Sequence, residues 1–245
     1  MAAFSVALTF ADLIGRPVTL LTGALLPFMA RYYGTGEIRR VADIYALSTK
    51  VAAWLGFFIA GWIAANAQLL LQVLYADKFN LAVPLVRMLA VAGAVGAIAT
   101  AGSALVYAEG RAGFVLKVGM FGAAASVVAG LTVVPAYGAA GAAVARAIIQ
   151  GALILAGTVY IVKLGYAFPV RSYLTCAVLS GVTNALVAWI QIPSVGALGH
   201  AVLHLVLAGS TYLFGTWLAG VFHHEEVTRL RQVFYRVAVR RAKEA

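Results

Sequence analysis

Residues 138–162 read GAAGAAVARAIIQGALILAGTVYIV, a run of small and apolar residues with a single charge at Arg146. About 20 helical residues cross the hydrocarbon core of a bilayer, so this stretch predicts a membrane-spanning helix. Six other apolar runs of similar length lie on either side of it. The predicted spans are 4–30, 51–75, 82–108, 114–134, 138–162, 172–192 and 198–222.

The composition of the chain agrees with a membrane protein. Hydrophobic residues make up 63% of the 245 residues and charged residues 11%, whereas soluble domains average about 25% charged residues. The strands of a membrane β-barrel would alternate apolar and polar residues, but these runs are apolar on every side. We therefore predict an all-α fold, a polytopic transmembrane bundle of seven spans within residues 1–222.

The basic residues are sorted by loop, which predicts the orientation of the bundle. Loops rich in Lys and Arg stay on the cytoplasmic side, so we expect the N-terminus outside and the C-terminus in the cytoplasm. The net charge is +10, but the basic residues do not form the single patch of a nucleic-acid surface. Fourteen of the 18 lie in alternate connections or in the tail: Arg31, Arg39, Arg40, Lys50, Arg111, Lys117, Lys163, Arg171, Arg229, Arg231, Arg236, Arg240, Arg241 and Lys243.

The last segment, 223–245, differs in kind from the spans. Apolar residues recur in it at roughly helical spacing between arginines: Val227, Leu230, Val233, Phe234, Val237 and Val239. This pattern predicts a basic amphipathic helix that lies on the cytoplasmic membrane surface and contacts lipid headgroups. A solvated basic anchor without specific lipid contact is the alternative.

Two charged residues, Asp12 and Arg16, fall in the middle of the first predicted span. Charges inside a membrane are costly, and they usually face a bundle interior or a water-filled cavity. Their i, i+4 spacing also favours an ion pair on one helix face. Two interpretations stay open: the pair neutralises itself, or it lines a site for an anionic or sugar-bearing substrate, with Asp12 as a proton or cation site. Pro17 follows directly and predicts a kink that could serve as a hinge.

Arg146 lies about 12 Å into its own span at 1.5 Å per residue. It could extend to the outer interface, or it could face a cavity and bind phosphate with its planar guanidinium. Small residues such as Gly93, Gly96, Gly122 and Gly141 are abundant in the spans. They would allow close helix packing or keep a cavity open.

Motifs for metal binding and nucleophilic catalysis do not occur in the sequence, which has no CxxC, HExxH or GxSxG. Cys176 is the single cysteine and lies in an apolar run. His200 and His204 have an i, i+4 spacing that could hold a metal or relay a proton, but no third ligand accompanies them. We expect no catalytic residue, no metal and no cofactor.

Three short motifs carry a family resemblance. Residues 26–31 read LPFMAR, residues 70–79 read LLQVLYADKF, and residues 133–143 read VVPAYGAAGAA. Their order and spacing resemble the polysaccharide-biosynthesis flippases of the multidrug/oligosaccharidyl-lipid/polysaccharide superfamily. The resemblance implies a transporter of fourteen helices in two lobes around a central cavity, of which this chain would match the last seven. It would explain why the first span begins almost at residue 1, and the missing N-terminal half would be a partner.

The resemblance also implies a function in the bacterial cytoplasmic membrane. Members of the family move polyprenyl-pyrophosphate-linked oligosaccharides to the outer leaflet by alternating access, for cell-envelope polysaccharides such as O-antigen, without covalent chemistry. Cationic cavity residues would meet the pyrophosphate, and Arg16 and Arg146 are the candidates by their character. Two alternatives are a cation-coupled multidrug exporter of the same superfamily, for which only Asp12 would serve, and a membrane-embedded glycosyltransferase or ligase. Short outer connections argue against the enzyme.

Overall fold

The computed structural model describes residues 2–75, 78–189 and 196–222, and helices account for most of them. A 3-10 turn, Asn80–Ala82, precedes the fourth helix, and the described residues contain no strand. The predicted all-helical fold is thus confirmed for this part, while the predicted tail helix, 223–245, lies outside the described residues. The helices are α1 (Ala2–Gly34), α2 (Ile38–Ala65), α3 (Ala67–Tyr75), α4 (Val83–Ala108), α5 (Ala112–Lys163), α6 (Val170–Ala188) and α7 (Ala197–Leu218).

The longest helix, α5, is a hairpin of two arms. Gly138 interrupts it with φ 58° and ψ −143°, a backbone conformation open essentially to glycine alone. Beyond this point the second arm runs back along the first, so that the rings of Phe114 and Tyr160 stack with centroids 3.7 Å apart. Gly122 allows the same approach further along, because a methyl group there would lie 2.7 Å from Cδ1 of Leu153. Within the described ranges, six helical segments, α5 included, are long and apolar enough to cross a membrane.

The second helix begins earlier than the predicted span 51–75. Residues 31–50 were expected to form a polar connection, yet α2 starts at Ile38. Its first turns bury Val41, Tyr45, Ser48 and Thr49 at helical spacing, so packing of one apolar face stabilises a helix in a stretch that carries many charges. The helix then ends at Ala65, and Asn66 separates it from α3.

The core of the described bundle is formed by α1, α2 and α4. Small residues bring these helices together, as the glycine pattern suggested. A Cβ at Gly93 of α4 would lie 3.0 Å from the carbonyl oxygen of Ala11, and a Cβ at Gly56 of α2 would lie 3.2 Å from Cβ of Ala97. The glycines therefore permit backbone contact between helices whose interface has little room for larger residues.

Helices α6 and α7 attach to α2 through side-chain hydrogen bonds. The hydroxyl of Ser180 donates to the carbonyl oxygen of Phe57 over 2.6 Å, and that of Tyr212 donates to the carbonyl oxygen of Trp54 over 3.1 Å. Nδ1 of His204 lies 2.9 Å from Oδ1 of Asn66, and both residues are buried. His204 thus belongs to a packed interface with the break between α2 and α3, and the ring of His200 lies edge-on to that of His204 with centroids 6.0 Å apart.

The loops that carry the sorted cations gather at one end of the bundle, which we call the basic end: the connections α1–α2, α4–α5 and α5–α6. A buried carboxylate joins two of these loops. The hydroxyl of Tyr166 donates to Oε1 of Glu109 over 2.6 Å, and Nε of Arg111 lies 3.2 Å from Oε2. The Glu109 side chain is 5% exposed. Burial and the bond to Glu109 raise the pKa of the Tyr166 phenol above its usual value.

Candidate substrate cavity

The first half of α1 has a polar exposed face, from Ser5 to Thr19. Its polar residues are spaced four, three, four and three positions apart, so they lie on one face of the helix: Ser5, Thr9, Asp12, Arg16 and Thr19. We call this face the polar stripe. The hydroxyls of Thr9 and Thr19 donate to carbonyl oxygens four residues earlier, over 3.2 and 3.0 Å. Such bonds satisfy the hydroxyl protons and leave oxygen lone pairs on the exposed surface.

The exposed faces of the peripheral helices look different. Leu131 on the first arm of α5, Val178 on α6 and Phe214 on α7 are all largely uncovered. Apolar exposure of this kind suits lipid or a second apolar protein surface. The polar stripe, by contrast, would be costly against lipid, and this contrast marks α1 as the helix that faces water or substrate.

A cavity of about 490 Å³ opens beside the polar stripe, roughly midway along α1. Its walls come from α1, α4 and the second arm of α5, and they bring together the three predicted site residues, Asp12, Arg16 and Arg146. Arg146 therefore borders the cavity, one of the two positions that the sequence allowed. With two guanidinium groups and one carboxylate, these three residues carry a formal charge of +1.

Asp12 pairs across the cavity rather than along its own helix. Its Oδ1 lies 3.7 Å from an Nη atom of Arg146, and the two side chains are 60% and 46% exposed. The i, i+4 spacing favoured a pair between Asp12 and Arg16, and the structure differs because α1 and the second arm of α5 converge at this depth. Spacing within one helix holds no information about that approach.

Glycines on α4 leave space in the cavity that larger side chains would fill. Gly93 and Gly96 both line it, and a Cβ at Gly96 would come within 2.6 Å of Nε2 of Gln150, one turn beyond Arg146. Thr100 adds a hydroxyl, which donates to the carbonyl oxygen of Ala97 over 2.7 Å. The cavity thus offers cations and amide or hydroxyl groups on a surface that is otherwise formed mainly by small, apolar residues.

Pro17 lies in α1 directly after Arg16, but α1 continues through it and through Pro27 as one helix. Pro17 itself does not line the cavity, and its role as a hinge stays a prediction. Sequence reasoning missed Ser5, Thr9 and Thr19 as companions of the charged pair. The signal was present, since their spacing matches one face of a helix.

The fold has a known counterpart among solved structures. The chain superposes on the lipid II flippase MurJ in its inward closed conformation, with a TM-score of 0.72. The chain has the fold of this flippase. The alignment covers 89% of the present chain at 12% sequence identity, and it spans 47% of the length of MurJ. No family model matches the sequence, and no curated protein does.

The similarity to MurJ and the long apolar helices together establish a multi-pass membrane protein of the MurJ-like fold. At 12% identity the comparison assigns the fold, while the chemistry of the cavity has to supply the argument for a substrate.

Proposed function

We propose that this chain is the C-terminal half of a flippase that carries a polyprenyl-pyrophosphate-linked oligosaccharide across the bacterial cytoplasmic membrane by alternating access. The observation that supports this most is the cationic cavity of Asp12, Arg16 and Arg146, which lies midway along apolar helices of a MurJ-like bundle. Arg is the side chain best suited to phosphate, because its planar donors bind two oxygens at once.

The proposed topology has seven membrane crossings. The two arms of α5 supply two, and α1, α2, α4, α6 and α7 supply one each, so the two ends of the chain lie on opposite sides. The basic end would face the cytoplasm, in keeping with its arginines and lysines. Residues 1–222 would form the membrane domain and residues 223–245 a basic amphipathic helix on the inner surface.

The proposed transport step needs no cofactor and no catalytic residue. The oligosaccharide and pyrophosphate would occupy the polar side of α1, and the polyprenyl tail would stay in lipid against the apolar outer faces. The N-terminal half would close the cavity from the opposite side. Among the described residues, the carboxylate that borders the cavity is paired with Arg146, which disfavours a multidrug exporter that attracts cations.

The experiment is a transport assay on the intact transporter in proteoliposomes, with a fluorescent polyprenyl-pyrophosphate oligosaccharide as substrate. We expect Arg16→Ala and Arg146→Ala each to slow transport at least about 10-fold, since a lost charge-assisted contact in a cavity costs about 1.4 kcal/mol or more. Size-exclusion profiles and melting temperatures should stay as in the wild type.

The matched control is Arg171→Ala, which removes a cation from an exposed position at the start of α6, away from the cavity. It should transport at the wild-type rate. Wild-type transport by both cavity variants would exclude Arg16 and Arg146 from the substrate site and overturn the proposal.

A further inference from the structure

The ion pair between Asp12 and Arg146 connects two helices that otherwise have few contacts, α1 and the second arm of α5. Asp12 is on α1, in the packed core, and Arg146 is on the second arm of α5, of which few residues are buried. Their contact crosses the cavity itself. A change in this pair would therefore alter both the charge that the cavity offers and the contact between α1 and the second arm of α5.

The pair is built to be weak. The 3.7 Å separation exceeds the roughly 2.7–2.9 Å of a charge-assisted hydrogen bond, and both side chains are about half exposed. Exposed ion pairs contribute about 0–1 kcal/mol. Within the described part of the chain, Arg146 is the partner that the structure gives the Asp12 carboxylate, so little else holds Asp12 in place.

A carboxylate and a phosphate bind a guanidinium group in the same way. Each presents two oxygens to the paired N–H donors, but a pyrophosphate carries more charge and more oxygens than one carboxylate. It would also reach Arg16, one helical turn from Asp12 on the same wall. An incoming pyrophosphate can therefore replace Asp12 at Arg146 and gain a second cation.

We propose that Asp12 is an internal competitor for the anionic headgroup: it occupies Arg146 in the empty cavity and is displaced when a pyrophosphate binds. This rests on the proposed function, because it assumes that the cavity binds pyrophosphate. The Asp12–Arg146 pair connects α1 with the α5 hairpin. When pyrophosphate replaces Asp12 at Arg146, the contact between α1 and α5 in the bound state therefore differs from that in the empty state. A ligand shifts a conformational equilibrium only through such differences.

The test compares the affinity of wild type and Asp12→Asn for a polyprenyl pyrophosphate, measured by calorimetry on the intact transporter in nanodiscs. Asparagine keeps the shape of the side chain and removes its charge. We expect about 3- to 10-fold tighter binding by Asp12→Asn, the factor that follows from releasing a pair of up to about 1 kcal/mol together with its negative charge. Asp12→Ser should show the same gain.

The control is Glu37→Gln, which removes the same charge at an exposed pair with Arg40 at the basic end. It should bind as the wild type does. The gain should also disappear in the background of Arg146→Ala, as a double-mutant cycle would report.

The outcomes separate this proposal from the proposed function. Unchanged or weaker binding by Asp12→Asn and Asp12→Ser overturns the competitor, as does an equal gain from Glu37→Gln. If Arg146→Ala still weakens binding in that case, the cationic substrate site stands. If Arg146→Ala and Arg16→Ala both bind as tightly as the wild type, the substrate site itself is wrong.

Discussion

Two carboxylate–arginine clusters in this molecule differ in the burial of the carboxylate and in the distance to its partners. At the basic end, Glu109 is 5% exposed and holds Tyr166 at 2.6 Å and Arg111 at 3.2 Å. In the cavity, Asp12 is 60% exposed and approaches Arg146 only to 3.7 Å. In the first cluster, protein donors contact both carboxylate oxygens of Glu109. The second leaves donors and acceptors open at a depth where lipid could not satisfy them.

Burial and the distance to partner atoms distinguish a structural charge from a functional one in a membrane bundle. A buried charge with close partners stabilises the contact between loops, because removal of one partner leaves the other buried without a counter-ion or hydrogen bond. An exposed charge in mid-membrane adds little to folding and has to be explained by what it faces. The following predictions test that distinction through stability in detergent, from the largest change to the smallest.

Glu109→Ala should lower the free energy of unfolding by about 3 kcal/mol, because it leaves the Tyr166 hydroxyl without its acceptor and Arg111 without its counter-ion. Chemical denaturation of the purified protein measures this. Glu37→Ala, which removes an exposed partner of Arg40, should change stability by less than about 1 kcal/mol. Equal effects of the two substitutions would show that burial does not distinguish them.

Tyr166→Phe should cost about 2 kcal/mol, since it deletes a hydrogen bond to an ionised group and keeps the ring. The ring still contacts Tyr45 edge to face, with centroids 6.0 Å apart. The same denaturation experiment reports the change. A loss as large as that of Glu109→Ala would mean that Arg111 contributes nothing to the cluster.

High pH should weaken the Glu109 cluster, because ionisation of the Tyr166 phenol removes the proton that it donates to Glu109 and places a second negative charge beside the carboxylate. The folded state raises the pKa of Tyr166, so the neutral phenol is favoured. Its stabilisation is complete below about pH 10, the usual value, and decreases as the pH rises above it. The stability gap between wild type and Tyr166→Phe should therefore narrow above pH 10. A constant gap would contradict this.

Asp12→Asn should change stability by less than about 1 kcal/mol in either direction, because the pair with Arg146 is long and exposed. Thermal unfolding in detergent at low and high salt measures it. A decrease of several kcal/mol in the free energy of unfolding would show that Asp12, like Glu109, stabilises the fold.

The sequence predicts helices well where one apolar run is one helix. The predicted span 82–108 differs from α4, Val83–Ala108, by one residue. Pro84 at the start of the helix and Gly110 after its end limit it. Pro135 and Gly138 likewise separate the two arms of α5. Such boundaries follow from local backbone chemistry, which a single sequence carries in full.

Tertiary contacts account for what the sequence could not predict. The first turns of α2 are helical because Val41 and Tyr45 pack on neighbouring helices, although the surrounding charges are typical of a loop. The cavity residues were singled out from their cost in lipid, but the partner of Asp12 depends on how the α5 hairpin approaches α1. No spacing rule within one helix predicts Arg146 as that partner.

The most direct test of a water-filled substrate cavity is the accessibility of the polar stripe to a charged reagent. In a Cys176→Ser background, Thr19→Cys on the polar stripe and Leu131→Cys on the outer face of α5 would be treated with a charged, membrane-impermeant thiol reagent in proteoliposomes. We predict rapid labelling of the cysteine at position 19, slowed by polyprenyl pyrophosphate, and little labelling at position 131. Equal, slow labelling at both positions would contradict a water-filled substrate cavity.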